Sequence, residues 1–295
     1  MKTNFSAYKD ELGIGEVEHK IPEGDPTRWG KVDLYIWVDA GEDGLPVEKI
    51  VCPKPNVYWV SDSHLGLEYR LNKAKEFDYV FVSIPEHIDK FKEAVGHDKV
   101  YFLPHAGEPS CYYSTEHIDL FKEHFLKTMA IGLKPRVDIE KKVAVMKKYD
   151  VAFIGHLPNE ERINLIDRLF KEFPEFYYGN VFFEEANAIY NKSKIVLNHC
   201  ISNEANMRLF EATLSGALVL SNKPNTADEL GYIDGVNIAF YKDADEMVAK
   251  AKYYIEHEDD AKKIAYAGML HTLNNHSYLH RAKRIMEVVN ADKKL

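Results

Sequence analysis

Short apolar runs alternate with longer amphipathic stretches along most of the chain. VDLYIWVDA (32–40), PNVYWVSD (55–62), FDYVFVSI (77–84) and the start of KVYFLPHAGEP (99–109) read as buried strands. Gly41, Gly44 and Pro46 end the first of them. PEHIDKFKEAVG predicts a helix with Pro85 near its first position and Gly96 closing it. Residues 114–131 predict an aromatic, charged helical segment. GLKPRVDIEKKV (132–143) is dense in charge and holds Gly132 and Pro135, so it reads as a linker.

Beyond the linker the alternation restarts. YDVAFIG (149–155) predicts a strand, and NEERINLIDRLFKEF (159–173) an amphipathic helix with Asn159 as N-cap. FYYGN, KIVLNHC and ALVLSN are further strands, separated by the helices FEEANAIYNKS and NMRLFEATLSG. Gly216 sits at the C-terminal turn of the latter helix. Three more helices finish the chain. The pattern predicts an α/β protein of two Rossmann-like domains, residues 1–140 and 141–277, facing across a cleft. No clear first strand or glycine-rich turn precedes Val32, so the N-terminal domain is short or atypical. Ligands of open α/β sheets gather beyond the carboxyl ends of the strands.

Composition narrows the possibilities. Of 295 residues 45% are hydrophobic, enough for a substantial core. A formal net charge of -9 disfavours general nucleic-acid binding. Cys52, Cys111 and Cys200 show no CxxC spacing, which argues against a disulfide framework or zinc ribbon and suits a reducing cytosol. The first residues have no apolar h-region, and no stretch approaches the roughly 18 apolar residues of a spanning helix. The expectation is a soluble, cytoplasmic protein without a membrane span.

The candidate chemistry centres on NMRLFEATLSG. Met207, Phe210 and Leu214 fall on the core-facing stripe of the helix, while Arg208 and Glu211, three apart, share another face. The helix begins just after a strand, so its free N–H groups face the sheet edge and favour an anion. A diphosphate could dock there, with Arg208 adding charge. The Glu211 carboxylate could accept two hydrogen bonds from a vicinal diol such as a ribose. The plainer alternative is a solvated Arg208–Glu211 pair worth about 0.3 kcal/mol. Asn198 and His199 end the preceding strand and shape the same pocket, and Met207 and Gly155 are counted in its lining. Asp62 and His64 follow the second strand, and His105 and Glu108 the fourth. Asp62, His64 and His105 are the candidates for contacting the reacting groups. Their alternatives are an N-cap, a surface histidine and a histidine bonded to a turn carbonyl. Cys200 has no partnered base. No HxH or helical HxxxH appears, and no metal site is expected.

The blocks DVAFIGHLPNEER, NMRLFEATLSGALVLSN, DELGYIDGVNIAFYKDADEM and YIEHEDDAKKIAYAGMLHTLNNHSYLHRAKRI resemble the second domain of retaining GT-B glycosyltransferases. The CgeB-type, spore-maturation-protein-like branch is the closer resemblance. VYWVSDSH, FDYVFV and VYFLPHAGEP fit its first domain, so the likeness runs over most of 50–285. The resemblance implies transfer of a sugar from a nucleoside-diphosphate-sugar, such as a UDP-sugar, to a glycan, protein or small molecule. It implies retention, no bound metal, no cofactor beyond that co-substrate, and a last helix (278–295) crossing back to the first domain. Glu211 then corresponds to the ribose-holding carboxylate, and Asn206 and Arg208 line the sugar–diphosphate site. The family often has a second glutamate eight residues earlier, where this chain has Asn203, with Glu204 one residue off. It often has an arginine after the strand's glycine, where this chain has His156; His156 or Arg162 could supply that charge. Two other readings stay open: a non-catalytic nucleotide-sugar-binding module, and a DNA-base glucosyltransferase.

Overall fold

The computed structural model describes residues 33–39, 54–130, 145–201 and 204–292. The predicted linker, the turn after the first strand, and Cys52 and Asn203 lie outside them. The chain divides into two compact units, Met1–His105 with Arg281–Leu295, and Ala106–His280.

In the first unit, β1 (Tyr35–Asp39), β2 (Asn56–Val60), β3 (Tyr79–Val82) and β4 (Val100–Phe102) pair in parallel, in that order. Helix α1 (Leu67–Ala74) links β2 to β3, and α2 (Ile88–Val95) links β3 to β4. A 3₁₀ turn, Pro85–His87, precedes α2, so Pro85 opens that turn rather than the helix. Gly96 closes α2 at φ 73°, a conformation that a side chain would strain. Tyr58, Val60, Val80, Val82 and Phe91 form the core of this unit. These central strands are buried along their whole length, which is why they read as apolar runs without alternation.

The second unit contains α3 (Lys122–Ala130), β5 (Tyr149–Ile154), α4 (Glu160–Glu172), β6 (Phe176–Gly179), α5 (Phe183–Asn191), β7 (Ser193–Asn198) and α6 (Met207–Leu214). It continues through β8 (Leu218–Asn222), β9 (Ala239–Tyr241), α7 (Ala244–Glu256) and α8 (Glu258–Asn275). Its parallel sheet has the order β6-β5-β7-β8-β9. The strand order reverses at β5, the kind of point where doubly wound sheets bind ligands. Val151, Phe153, Leu169, Ile195, Leu197, Leu218 and Met247 fill its core. Strand β9 is three residues at the end of the short apolar run 238–241, which the sequence reading did not single out. The last helix, α9 (Tyr278–Asp292), groups with the first unit from Arg281 onward. There Asp292 accepts hydrogen bonds from Tyr79 Oη and Lys99 Nζ, each at 2.6 Å.

Residues 106–130 were expected with the first domain but group with the second unit. The reason is local packing. Gly107 pairs with Ser277 and presses its backbone on α6, where a Cβ would overlap Leu214. The backbone N–H of Tyr113 donates to Asn187 Oδ1 at 3.1 Å, and that of Thr115 to Asn191 Oδ1 at 2.9 Å. Among the described residues no helix is long and apolar enough to cross a membrane.

Candidate functional site

The C-terminal ends of β5 and β7 carry the residues that the sequence singles out. Gly155 directly follows β5, with φ 145°, a backbone angle that favours glycine. The Arg208 guanidinium lies against it: a Cβ on Gly155 would overlap Nη2 and stand 3.2 Å from Cζ. From the first turn of α6, Arg208 reaches back over the sheet end. Its Nε donates to the Ile154 carbonyl, its Nη1 donates to Asn198 Oδ1 at 3.1 Å, and its Cζ stacks 4.3 Å from the Phe153 ring centre.

Arg162 approaches the same ring from α4, with Cζ 5.5 Å from its centre. Its Nη1 donates to the His156 carbonyl at 2.9 Å and its Nη2 to the His199 carbonyl at 2.6 Å. Arg162 therefore clamps the loop after β5 to the loop after β7. Its Nε is buried without a hydrogen-bond partner. Burial, then the nearby Arg208 charge, pushes the Arg162 guanidinium down to about 10. It still carries its charge at neutral pH. Among the described residues both arginines donate only to neutral oxygens, so two positive charges gather here with no described carboxylate bonded to either.

Helix α6 starts in the same place. Asn206 is its N-cap, with Oδ1 accepting from the Leu209 N–H at 3.3 Å, and its Nδ2 reaches the His199 carbonyl at 3.5 Å. Asn198 is fully buried; its Nδ2 donates to Ser221 Oγ at 3.0 Å while its Oδ1 holds Arg208. His199 is buried, with Nδ1 3.0 Å from Tyr241 Oη and Nε2 3.5 Å from a Glu161 oxygen. Burial holds its pKa below the usual histidine value, against the attraction of Glu161.

Glu211 is half-buried, and the plainer alternative of a solvated pair with Arg208 does not form. No ion pair joins the two among the described residues, because Arg208 turns toward the sheet. Burial raises the pKa of Tyr112, from the segment before α3, and the charge of Glu211 raises it further. Met207 is half-buried; the buried stripe of α6 is Leu209, Phe210, Ala212, Thr213 and Leu214. His156 is exposed, and its carbonyl accepts from Arg162 Nη1.

Three candidates belong to the first unit. Asp62 is half-buried at φ 49°, in the turn after β2, where its carbonyl accepts from the Leu65 N–H. His64, in the same turn, is exposed. His105 is buried, and its carbonyl accepts from Arg281 Nε at 3.0 Å and Nη2 at 2.8 Å. The sequence pattern missed two participants of the second unit. Phe153 sits in a core strand with no sign of its guanidinium stacking. Tyr112 lies in a loop that its spacing assigned elsewhere.

Residues 141–287 match a family model described as "Glycosyl transferase-like". No curated protein sequence matches the chain significantly. Among solved structures, HepE from Anabaena in complex with UDP and glucose superposes with a TM-score of 0.57 at 16% identity, covering 80% of this chain and 72% of that one. The same protein in complex with UDP-glucose gives 0.55 at 17% identity over the same shares. A glycosyltransferase from Rickettsia africae aligns over 97% of this chain and 86% of its own, at 13% identity and a TM-score of 0.50. Residues 141–287, which hold Gly155, Arg162, Asn198, Arg208 and Glu211, thus make up a glycosyl transferase-like domain, on a chain with the fold of GT-B glycosyltransferases.

Proposed function

We propose that this protein transfers a sugar from a nucleoside-diphosphate-sugar to an acceptor hydroxyl, and that its second unit holds the donor. The observation that carries the reading is the pair of guanidinium groups at the ends of β5 and β7. Both rest on neutral acceptors beside the N-terminus of α6. A diphosphate there would meet Arg208, the α6 amides and the charge of Arg162. Glu211, further along α6, would take the ribose hydroxyls, since a carboxylate accepts from both members of a diol.

On this reading the glycosidic C–O bond breaks with its electron pair leaving on the diphosphate. Arg208, Arg162 and the helix terminus stabilise that growing charge, the task a metal ion performs in other transferases. We extend the proposal to retention of configuration and metal independence. The likeness to HepE, solved with UDP-glucose, supports a UDP-hexose as donor. Asp62, His64 and His105 are proposed on the acceptor side.

The test is release of free nucleoside diphosphate from a panel of nucleotide sugars. Wild type is expected to release it from one donor, and Glu211→Ala or Arg208→Ala to lose the activity. Binding of a donor with no release across acceptor libraries would favour a non-catalytic binding module.

A further inference from the structure

We propose that Phe153 is a positioning residue for the diphosphate. Its ring holds the guanidinium groups of Arg208 and Arg162 where a carboxylate might have stood, so both cations are fixed in place yet keep their charge for the ligand. The inference rests on the donor reading above.

Geometry gives the first support. Arg208 and Arg162 come from different helices, α6 and α4, and converge on one ring of β5. Cζ lies 4.3 Å from the ring centre for Arg208 and 5.5 Å for Arg162. Both fall inside the roughly 6 Å over which an aromatic face attracts a cation. The ring itself is firmly held. Phe153 is fully buried in the core of its sheet, with Val151, Leu169 and Ile195. It also stacks with Tyr178, the two ring planes 18° apart.

The nature of the other partners gives the second. Arg208 donates to the Ile154 carbonyl and Asn198 Oδ1, and Arg162 to the carbonyls of His156 and His199. All four acceptors are neutral. A guanidinium only donates, so the oxygen of the Asn198 amide must face Arg208. The amide is held in that sense from behind. Its Nδ2 donates to Ser221 Oγ at 3.0 Å, and the Ser221 hydroxyl donates on to the Asn222 carbonyl at 2.7 Å. Among the described residues no carboxylate bonds either arginine. Two like charges so placed repel: burial, and after it the Arg208 charge, push the Arg162 guanidinium down to about 10. A bonded carboxylate would relieve the repulsion, but an incoming diphosphate would then have to displace it. The quadrupole of an aromatic face attracts a cation without cancelling its net charge.

An arginine oriented only by solvent loses side-chain freedom on binding, and that loss costs affinity. A ring that orients Arg208 beforehand removes part of the cost. Weakening the attraction of the ring while keeping its shape should therefore weaken ligands that carry a diphosphate and spare those that do not.

The experiment replaces Phe153 in the full chain by 4-fluoro-, 3,5-difluoro- and 3,4,5-trifluorophenylalanine. Fluorine withdraws electron density from the ring face in steps and barely changes its outline. Each chain is titrated by calorimetry with uridine diphosphate and with uridine. Diphosphate affinity should fall stepwise along the series, reaching about three- to tenfold at the trifluoro ring, while uridine binding holds constant. Arg208→Gln should flatten most of that slope, leaving the smaller share of Arg162. Urea unfolding checks that each chain is folded; should the trifluoro chain not fold, the other two carry the slope. A series that is flat or rises in a protein that binds the diphosphate overturns the positioning role alone. So does an equally steep slope in Arg208→Gln, since the ring would then act through packing. If wild type does not bind uridine diphosphate, the donor reading fails and takes this inference with it.

Discussion

Gly155 offers the sharpest perturbation of the site, because one methyl group tests its geometry. Gly155→Ala places a Cβ where Arg208 Nη2 lies, at a φ of 145° that only glycine adopts freely. The backbone strain alone is worth about 1–3 kcal/mol. The guanidinium must then move off Gly155, endangering its bonds to the Ile154 carbonyl and Asn198 Oδ1. Each hydrogen bond from a charged group contributes roughly 1.5–3 kcal/mol, less here because Arg208 is half-buried. A total loss of about 3 kcal/mol is expected in urea unfolding. Affinity for a nucleoside diphosphate should fall by about tenfold or more, since tenfold corresponds to about 1.4 kcal/mol. The decisive measurement is a double-mutant cycle with Arg208→Ala. If the methyl acts by displacing Arg208, it should cost less stability once that side chain is gone, leaving mainly the backbone strain. Strict additivity, or a Gly155→Ala protein with wild-type stability and nucleotide affinity, would refute the packing of Arg208 on this glycine.

Further expectations concern stability and selectivity. Asn187→Ala strips the acceptor from Tyr113 N–H and Ser215 Oγ, both buried, and should cost about 2–4 kcal/mol in denaturant unfolding. Asn159→Ala removes the α4 cap on the Arg162 N–H and should cost about 1 kcal/mol, without altering nucleotide affinity more than about twofold. Burial holds His199 below its ordinary 6.5, so the unfolded chain binds more protons in the window from there down to the folded value. Stability should therefore fall as pH drops through that window and level off below it. Urea midpoints at pH 7.5 and 5.5 check this, and His199→Gln should flatten the slope. Duplex DNA should not bind even at low salt, given the net charge of -9; tight binding there would revive a nucleic-acid substrate.

Much of the architecture is legible in the sequence because buried parallel strands leave unbroken apolar runs. Val57–Val60, Val151–Ile154 and Ile195–Leu197 are of this kind. Local signals were equally plain where a residue's role depends on its neighbours in sequence: Asn159 caps a helix, and Gly96 and Gly216 close helices at positive φ. What spacing could not convey was long-range. Arg208 and Glu211 share a helical face, yet Arg208 turns to the end of β5, 54 residues away. Residues 106–130 look like a tail of the first domain. Their partners are Asn187, Asn191 and Leu214, far along the chain, and no local pattern reveals them. Strand β9 has only three residues and follows a turn-rich stretch, 231–237, from which the sequence reading did not separate it.

The central claim is that Arg208 and the start of α6 hold a diphosphate. Its most direct measurement is calorimetric titration of the full chain with uridine diphosphate and with uridine, for wild type and Arg208→Gln. The account predicts that the diphosphate binds far more tightly than the nucleoside. It predicts that Arg208→Gln erodes that difference by about tenfold or more, as one charge-assisted contact to phosphate is lost, while uridine binding is unchanged. Equal binding of the diphosphate to both proteins would contradict it, as would no preference for the diphosphate over uridine in wild type.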